Sequence, residues 1–524
     1  LFRDGRRIEQ DDCLQFDLAI VGAGMAGITL AEGLRGAGRR ICLLESGGFE
    51  PTLADQRLNR GSCVGRDYFD LDRCRFRTFG GATVCWGGWC LPLTPDDFER
   101  RDWIGLSGWP IDFVELVPWY RQAARLVELE SARGNPSGTV AGLAPPRRPG
   151  GSELTPTVLQ FSTVRSFGER VRSQFAADDE LTVLLHSTVA ELRLAPGTDR
   201  VESATVATPA GNRFSIRAPV WVLAGGGIEN PRLLLASRRE RSAGLANSSD
   251  FVGRCFMEHP HVRVGSIVPA PGADLSGFLG QDRRGQSPGR RYVLAPTAAA
   301  ARARSLPKSF FSLETPERLT GPSVMLRLPR PLATPPAAVR RLQGSEAAHL
   351  RVLGTSKRAA DSVRRMRVMR DSRVRSPGGL RRRLFVYARA EQTPNRQSRI
   401  TLDTARDAYG VPRPRLDWRI ADRDLAAIQT WSEVLRDGLA DSGDGRYEPH
   451  SWRERIVGGP HHMGTTRMSR SSGEGVVDGN GRTHDLDNLY IAGSSVFTTG
   501  GYANPSLTVL ALTLRLAEHL RARI

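Results

Sequence analysis

The chain has 524 residues, enough for two or three compact domains, and its 40% hydrophobic and 25% charged residues are those of an ordinary globular protein. No run of 18 apolar residues occurs, so no membrane-spanning helix is expected. The formal charge of +18 invites a nucleic-acid reading, but only Lys308 and Lys357 of the 74 basic residues are lysine, a bias that GC-rich codons produce, and no nucleic-acid partner is expected.

At the N-terminal end, Phe16 to Val21 reads as a short strand. It runs into Gly22-Ala23-Gly24-Met25-Ala26-Gly27. A helical pattern follows from Ile28 to Leu34, closed by Gly36 and Gly38, and then a second strand from Ile41 to Leu44 ends at Glu45. Gly22 permits the tight turn, Gly24 lets backbone approach a pyrophosphate, and Gly27 lets the helix pack closely on the strand. The helix N-terminus offers its free N–H groups to the phosphates. Glu45, 18 residues beyond Gly27, is placed to accept from ribose hydroxyls. This unit predicts a dinucleotide, and does not choose between NAD and FAD.

Seven cysteines follow along the chain: Cys13, Cys42, Cys63, Cys74, Cys85, Cys90 and Cys255. The odd number and the lack of a C-x-x-C pair predict neither a disulfide framework nor a zinc site, and favour a reducing, cytoplasmic setting. The sequence starts at Leu1, which leaves a removed N-terminal signal open. Leu181 to Leu192 reads as a strand pair at a sheet edge. His259-Pro260-His261 has the look of a metal pair, but the intervening proline and the lack of a third ligand favour a domain-junction turn. His186 and His519 read as structural or surface residues.

Residues 268–383 carry little periodicity apart from a basic helix expected at 357–370. Within 351–390, thirteen Lys or Arg face only Asp361 and Asp371. That run reads first as a solvated face, with a membrane surface, an acidic partner or an anionic substrate as alternatives. Leu384 to Ala390 is strand-like and leads into Glu391-Gln392. Arg399 to Leu402 and Arg415 to Trp418 read as paired strands, and Asp422 to Leu439 as an amphipathic helix.

Three further segments carry a resemblance. They are Phe79-Gly80-Gly81-Ala82-Thr83-Val84-Cys85-Trp86-Gly87-Gly88; Val222-Leu223-Ala224-Gly225-Gly226-Gly227-Ile228-Glu229-Asn230-Pro231; and a C-terminal block with His461-His462-Met463-Gly464-Thr465-Thr466-Arg467-Met468, Gly475-Val476-Val477-Asp478, Asn488 to Ser495 and Ala503-Asn504-Pro505-Ser506-Leu507-Thr508. In order and content the chain resembles the glucose-methanol-choline family of FAD-dependent oxidoreductases, nearest to the branch of pyranose oxidase and bacterial sugar dehydrogenases. The resemblance implies an α/β fold: a Rossmann-type FAD domain, discontinuous over 14–95, 175–265 and 445–524, and an α+β substrate domain over 96–174 and 266–444 with an antiparallel sheet above the flavin. It implies cofactor contacts at Gly80, Gly81, Cys85, Trp86, Val189 (backbone to adenine), Ala224, Gly225, Gly493, Ser494, Asn504 and Pro505. The branch's flavin-linked histidine is replaced by Cys85, so FAD is expected to be non-covalent, with Cys85 near the ring.

Oxidising an alcohol requires a base for the hydroxyl proton while the flavin takes the hydride. Histidine titrates in the right range, and an amide beside it can orient the same oxygen. The residues alone permit His461 or His462. The resemblance selects His461 as base with Asn504 as its partner, and leaves His462 and Gln392 as candidate substrate contacts. The expected activity is oxidation of a hydroxyl of a sugar, glycoside or cyclitol, an aminoglycoside-type pseudosugar among them. The hydroxylated substrate is small, and oxygen or another carrier takes the electrons. The alternatives are a non-redox FAD lyase of the same family or a basic nucleic-acid-binding protein.

Overall fold

The structure is a computed structural model, and it describes residues 1–129, 153–279, 289–315, 373–376 and 379–524. Side chains at 373–382 lie outside the described set, as do the expected basic helix at 357–370 and most of the basic run.

Six short strands form a parallel sheet, in the order Phe2–Asp4, Leu181–Leu185, Ile41–Leu44, Leu18–Val21, Val220–Leu223, Leu489–Ile491. Leu18, Ala19 and Ile20, and all four residues of Ile41–Leu44, are buried, as expected for strands covered on both faces. The helices Met25–Leu34 and Ser506–Arg521 pack on each other so closely that a Cβ at Gly33 would stand 2.8 Å from that of Ala517.

A second, seven-stranded sheet is antiparallel throughout. Its order is Gly445–Pro449, His261–Pro269, Leu384–Ala390, Ser309–Glu314, Arg290–Pro296, Leu154–Phe161, Trp89–Cys90. One face is apolar: Val262, Val264, Phe311, Leu313, Val386 and Ala388 join a core with Trp431, Leu435 and Leu439 of the helix Asp422–Ser442. The other face is turned away from that core. The fold is thus α/β, with a parallel Rossmann-like sheet and a large antiparallel sheet. Arg399–Arg406 and Pro412–Trp418 pair antiparallel in a further three-stranded sheet.

The reading of 181–192 as one strand pair is corrected. Leu181–Leu185 lies in the parallel sheet, whereas Thr188–Leu194 belongs to a separate four-stranded sheet. His186, at φ 54°, turns the chain between them, so adjacent strands part instead of pairing.

Candidate functional site

The glycine turn sits at the C-terminal end of Leu18–Val21. Gly22 has φ +107°, and a Cβ there would meet the Ala224 carbonyl at 2.8 Å. A Cβ on Gly27 would come within 1.9 Å of the Gly22 carbonyl oxygen, which holds the helix against the turn. Gly24 is different in kind: a Cβ there would meet nothing within 4 Å. It is the N-cap of Met25–Leu34 and makes no side-chain cap, so the first-turn N–H groups open onto that space. An open cradle of backbone donors at a helix N-terminus fits a diphosphate.

Of the other expected cofactor residues, Gly80, Gly81, Ala224, Gly225 and Gly493 gather around this turn. Gly80 N–H donates to Ala23 O at 2.8 Å, and Gly81 lies against Gly24. Ala224 N–H donates to Val21 O at 2.8 Å, and Gly225 N–H to Asn230 Oδ1 at 2.7 Å. Glu45 is buried and spans the turn, accepting from Ala23 N at 3.0 Å and Gly47 N at 2.8 Å. Burial pushes its carboxyl up to about 7. Val189 follows Thr188, whose hydroxyl is 2.6 Å from that of Ser46, so it lies just beyond Glu45. Gly493 (φ +104°) lies near Ala26, and Ser494 Oγ donates to His462 O at 2.7 Å. Trp86 donates to Val164 O at 3.1 Å. Cys85 closes a short 3-10 turn, and burial pushes its thiol up to about 12.

A chain of hydrogen bonds defines the second part of the site. Asn504 Nδ2 is 3.2 Å from His461 Nε2, and His461 Nδ1 is 2.8 Å from His259 Nδ1. His259 Nε2 is 3.0 Å from Gly501 O. A carbonyl only accepts, so His259 must carry its proton on Nε2. Burial holds His259 down at about 4, so it is neutral near pH 7 and its Nδ1 is a lone pair. His461 Nδ1 must then be the donor. Burial first, and then the neighbouring His259, His462 and Arg389, hold His461 well below 6.5. It too is neutral, with its lone pair on Nε2, beside Asn504. Asn504 Oδ1 is buried with no partner. Asn504 and Pro505 directly precede the helix Ser506–Arg521.

The His-Pro-His segment leads from a local backbone ladder into the strand His261–Pro269. Met257 and Met463 exchange backbone hydrogen bonds at 2.9 and 3.0 Å, and His261 pairs with Val457. This local ladder lays His259 and His261 alongside His461, with His261 and His461 ring centroids 5.9 Å apart. Among the described residues no group of metal-ligating side chains forms a metal site. Glu258 ties the ladder together. Its fully buried carboxylate accepts from Tyr68 OH, from His259 N and His461 N at 3.0 Å, and from Gly459 N at 2.9 Å. Burial raises it to about 7.

Gln392 is placed differently from expectation. It is 1% exposed, not at the surface. Its Oε1 accepts from Glu258 N and Trp418 Nε1, and its Nε2 donates to Arg419 O and Phe256 O, which leaves no group for a substrate. His462 packs against Tyr68 and Phe256, with each ring centroid 6.0 Å from its own. Burial holds it at about 3, and its Nε2 has no partner.

Residues 394–513 match the GMC oxidoreductase family model. The chain is 24% identical to 2-methyl-1,2-propanediol dehydrogenase of Mycolicibacterium austroafricanum over 85% of this chain and 80% of that protein. It is 25% identical to paromamine 6'-oxidase of Streptomyces fradiae over 98% and 93%. Pyridoxine 4-oxidase from Mesorbium loti shares the fold with a TM-score of 0.53 at 17% identity, covering 97% of this chain and 99% of that one. Formate oxidase does so with a TM-score of 0.55 at 17% identity, covering 98% and 99%. These comparisons support a member of the GMC oxidoreductase family, in which FAD is the typical cofactor, and an oxidoreductase acting on CH–OH donors.

Proposed function

We propose that this enzyme oxidises a hydroxyl-bearing carbon of a sugar, glycoside or cyclitol to a carbonyl, with His461 as general base and with FAD held non-covalently. The carrying observation is the hydrogen-bond chain from Gly501 O through His259 and His461 to Asn504. It leaves the basic lone pair on His461 Nε2, where the substrate hydroxyl must donate. Asn504 Nδ2–H beside it donates to the same oxygen and orients it. FAD, when bound, supplies the hydride acceptor. Gly24, Gly81 and the first turn of Met25–Leu34 would hold its diphosphate, and Glu45 its ribose. A Cys85 thiol pushed up to about 12 is protonated at neutral pH and a poor nucleophile, which supports non-covalent binding.

Relatives named as a paromamine oxidase and a C-glycoside oxidase support a polyhydroxylated substrate and a place in natural-product chemistry. Oxygen or another carrier would reoxidise the flavin. Seven free cysteines favour a reducing, cytoplasmic setting. The FAD domain would be assembled from 14–95, 175–265 and 445–524. The test is His461→Ala in anaerobic flavin reduction with a panel of sugars, cyclitols and diols. FAD content should stay and the reduction rate should fall by about 100-fold or more. A variant that reduces at the wild-type rate refutes His461 as base.

A further inference from the structure

The face of the seven-stranded sheet turned away from the helix Asp422–Ser442 carries more positive charge than the chemistry above requires. In Leu384–Ala390 the even-numbered residues face the core, so alternation puts Phe385, Tyr387 and Arg389 on the opposite face. Cross-strand register sets His261 and Phe310 on either side of Arg389, and Arg263 and Ser312 on either side of Tyr387. His261 is the residue whose ring lies against His461, so Arg389 stands one strand from the base.

Arg389 is held by ring faces, not by a carboxylate. Its guanidinium lies 4.6 Å from the Trp89 centroid and 5.4 Å from that of Phe310, and Nη1 donates to Ser312 Oγ at 2.5 Å. Such contacts fix the guanidinium without neutralising it. Glu314 shares this face, but its carboxylate is taken by Arg291 Nη1 at 2.9 Å and Ser312 Oγ at 3.3 Å. Arg389 is half-buried, and among the described residues its side chain makes a single hydrogen bond, the one to Ser312 Oγ. Farther along the face, Arg263 lies 4.9 Å from the Phe385 centroid. Both line a surface cavity of about 270 Å³ with Arg383, His450, Ser451 and Arg455. Glu448 pairs with Arg383 at 2.8 Å and Arg446 at 2.7 Å. Arg263, Arg389 and Arg455 have no carboxylate partner among the described residues. The cavity and the sheet face that runs from it to His261, the ring neighbour of His461, therefore carry three arginines without a carboxylate partner among the described residues. A positive cleft of this kind raises the local concentration of anions and steers them inward.

We infer that the substrate is a hydroxy compound bearing a carboxylate, a sugar acid or polyhydroxy acid, drawn in past Arg455 and Arg263 and gripped by Arg389 while its hydroxyl meets His461. Arginine's planar fork matches a carboxylate with two parallel hydrogen bonds. A cationic amino sugar would meet repulsion along the whole path. The inference rests on the proposed role of His461.

Matched compounds test it: D-galacturonate, D-galactose and D-galactose 1-phosphate, and D-glucuronate with D-glucose, followed by anaerobic flavin reduction of the FAD-loaded enzyme. The acid should lead its neutral partner in kcat/KM, and the lead should shrink as salt is added. Arg389→Met should cut the acid-to-neutral ratio by about 100-fold, mainly through KM, and Arg389→Lys should restore part of it. Arg263→Gln with Arg455→Gln should lower kcat/KM for the acid and flatten its salt dependence. A wild-type preference for the neutral sugars, or an Arg389→Met effect equal on both partners, overturns the inference while leaving the base intact. A preference for the phosphate overturns the carboxylate assignment. Neutral and acidic compounds both inert would overturn the sugar-acid assignment, while the reading of His461 as base stands or falls separately with His461→Ala.

Discussion

His259 decides which nitrogen of His461 is basic, because the Gly501 carbonyl forces its proton onto Nε2. Replacing it with Phe removes the acceptor for His461 Nδ1–H and frees the other tautomer. A wrong-tautomer base costs orders of magnitude in proton transfer. His259→Phe should keep FAD and slow flavin reduction by about 100-fold, with a changed acid limb in the pH profile. His259→Asn keeps an acceptor oxygen and should recover part of the rate. Equal losses in both variants would show that His259 only fills space. The sequence displayed His259 and His461 equally plainly, yet 202 residues separate them. No spacing rule links residues that only a tertiary backbone ladder brings together. Gln392 illustrates the converse: a polar residue at a strand end reads as a substrate contact, while burial has assigned every polar atom of its side chain to the protein.

Local elements were the most legible level. The strand Ile41–Leu44 coincides with its apolar run, the helix Asp422–Ser442 outlasts its expected end by one turn, and Arg399 to Leu402 pairs with Arg415 to Trp418 as its pattern implied. Periodicity and turn residues act over a few positions, so a linear reading captures them. Sheet membership is not local, which is why 181–192 was misread as one pair. The glycine turn is where element and function meet. Gly27→Ala would drive a methyl into the Gly22 carbonyl, a backbone atom with no room to yield. Such overpacking costs about 1–3 kcal/mol or more, and it shifts the first turn that faces the cradle. The variant should melt lower and retain less FAD after gel filtration. Gly36→Ala, where a Cβ has open space but φ is +70°, provides the contrast. It should cost only the backbone strain and leave FAD content unchanged. Equal FAD loss in both would refute the close-packing account.

Across the whole molecule, two sets of buried groups pull stability in opposite directions with pH. Burial holds His259 at about 4 and His462 at about 3, with His261 and His461 also well below 6.5. Below pH 6.5 the unfolded chain binds these protons and the fold does not, so their contribution is complete above 6.5 and is lost as pH falls. Burial pushes Glu45, Glu258 and Asp424 up to about 7. Here the fold keeps the protons, so the contribution is complete below about 4 and is lost as pH rises through 7. Between about 4.5 and 6.5 the two slopes oppose and largely cancel. Below about 4 only the histidine slope remains. Glu229 joins it there, since Arg75, Arg77 and Arg232 hold its carboxyl well below the usual range. The FAD-loaded enzyme should therefore show a broad plateau of melting temperature between about pH 4.5 and 6.5, a shallow decline towards 7.5 and a steep fall below 4. Tryptophan-fluorescence melts at constant ionic strength read this directly. A steady fall from pH 7 to 5 would mean that Glu45, Glu258 and Asp424 are ionised in the fold, and that the site's charge comes from carboxylates as well as from the arginines that line its approach.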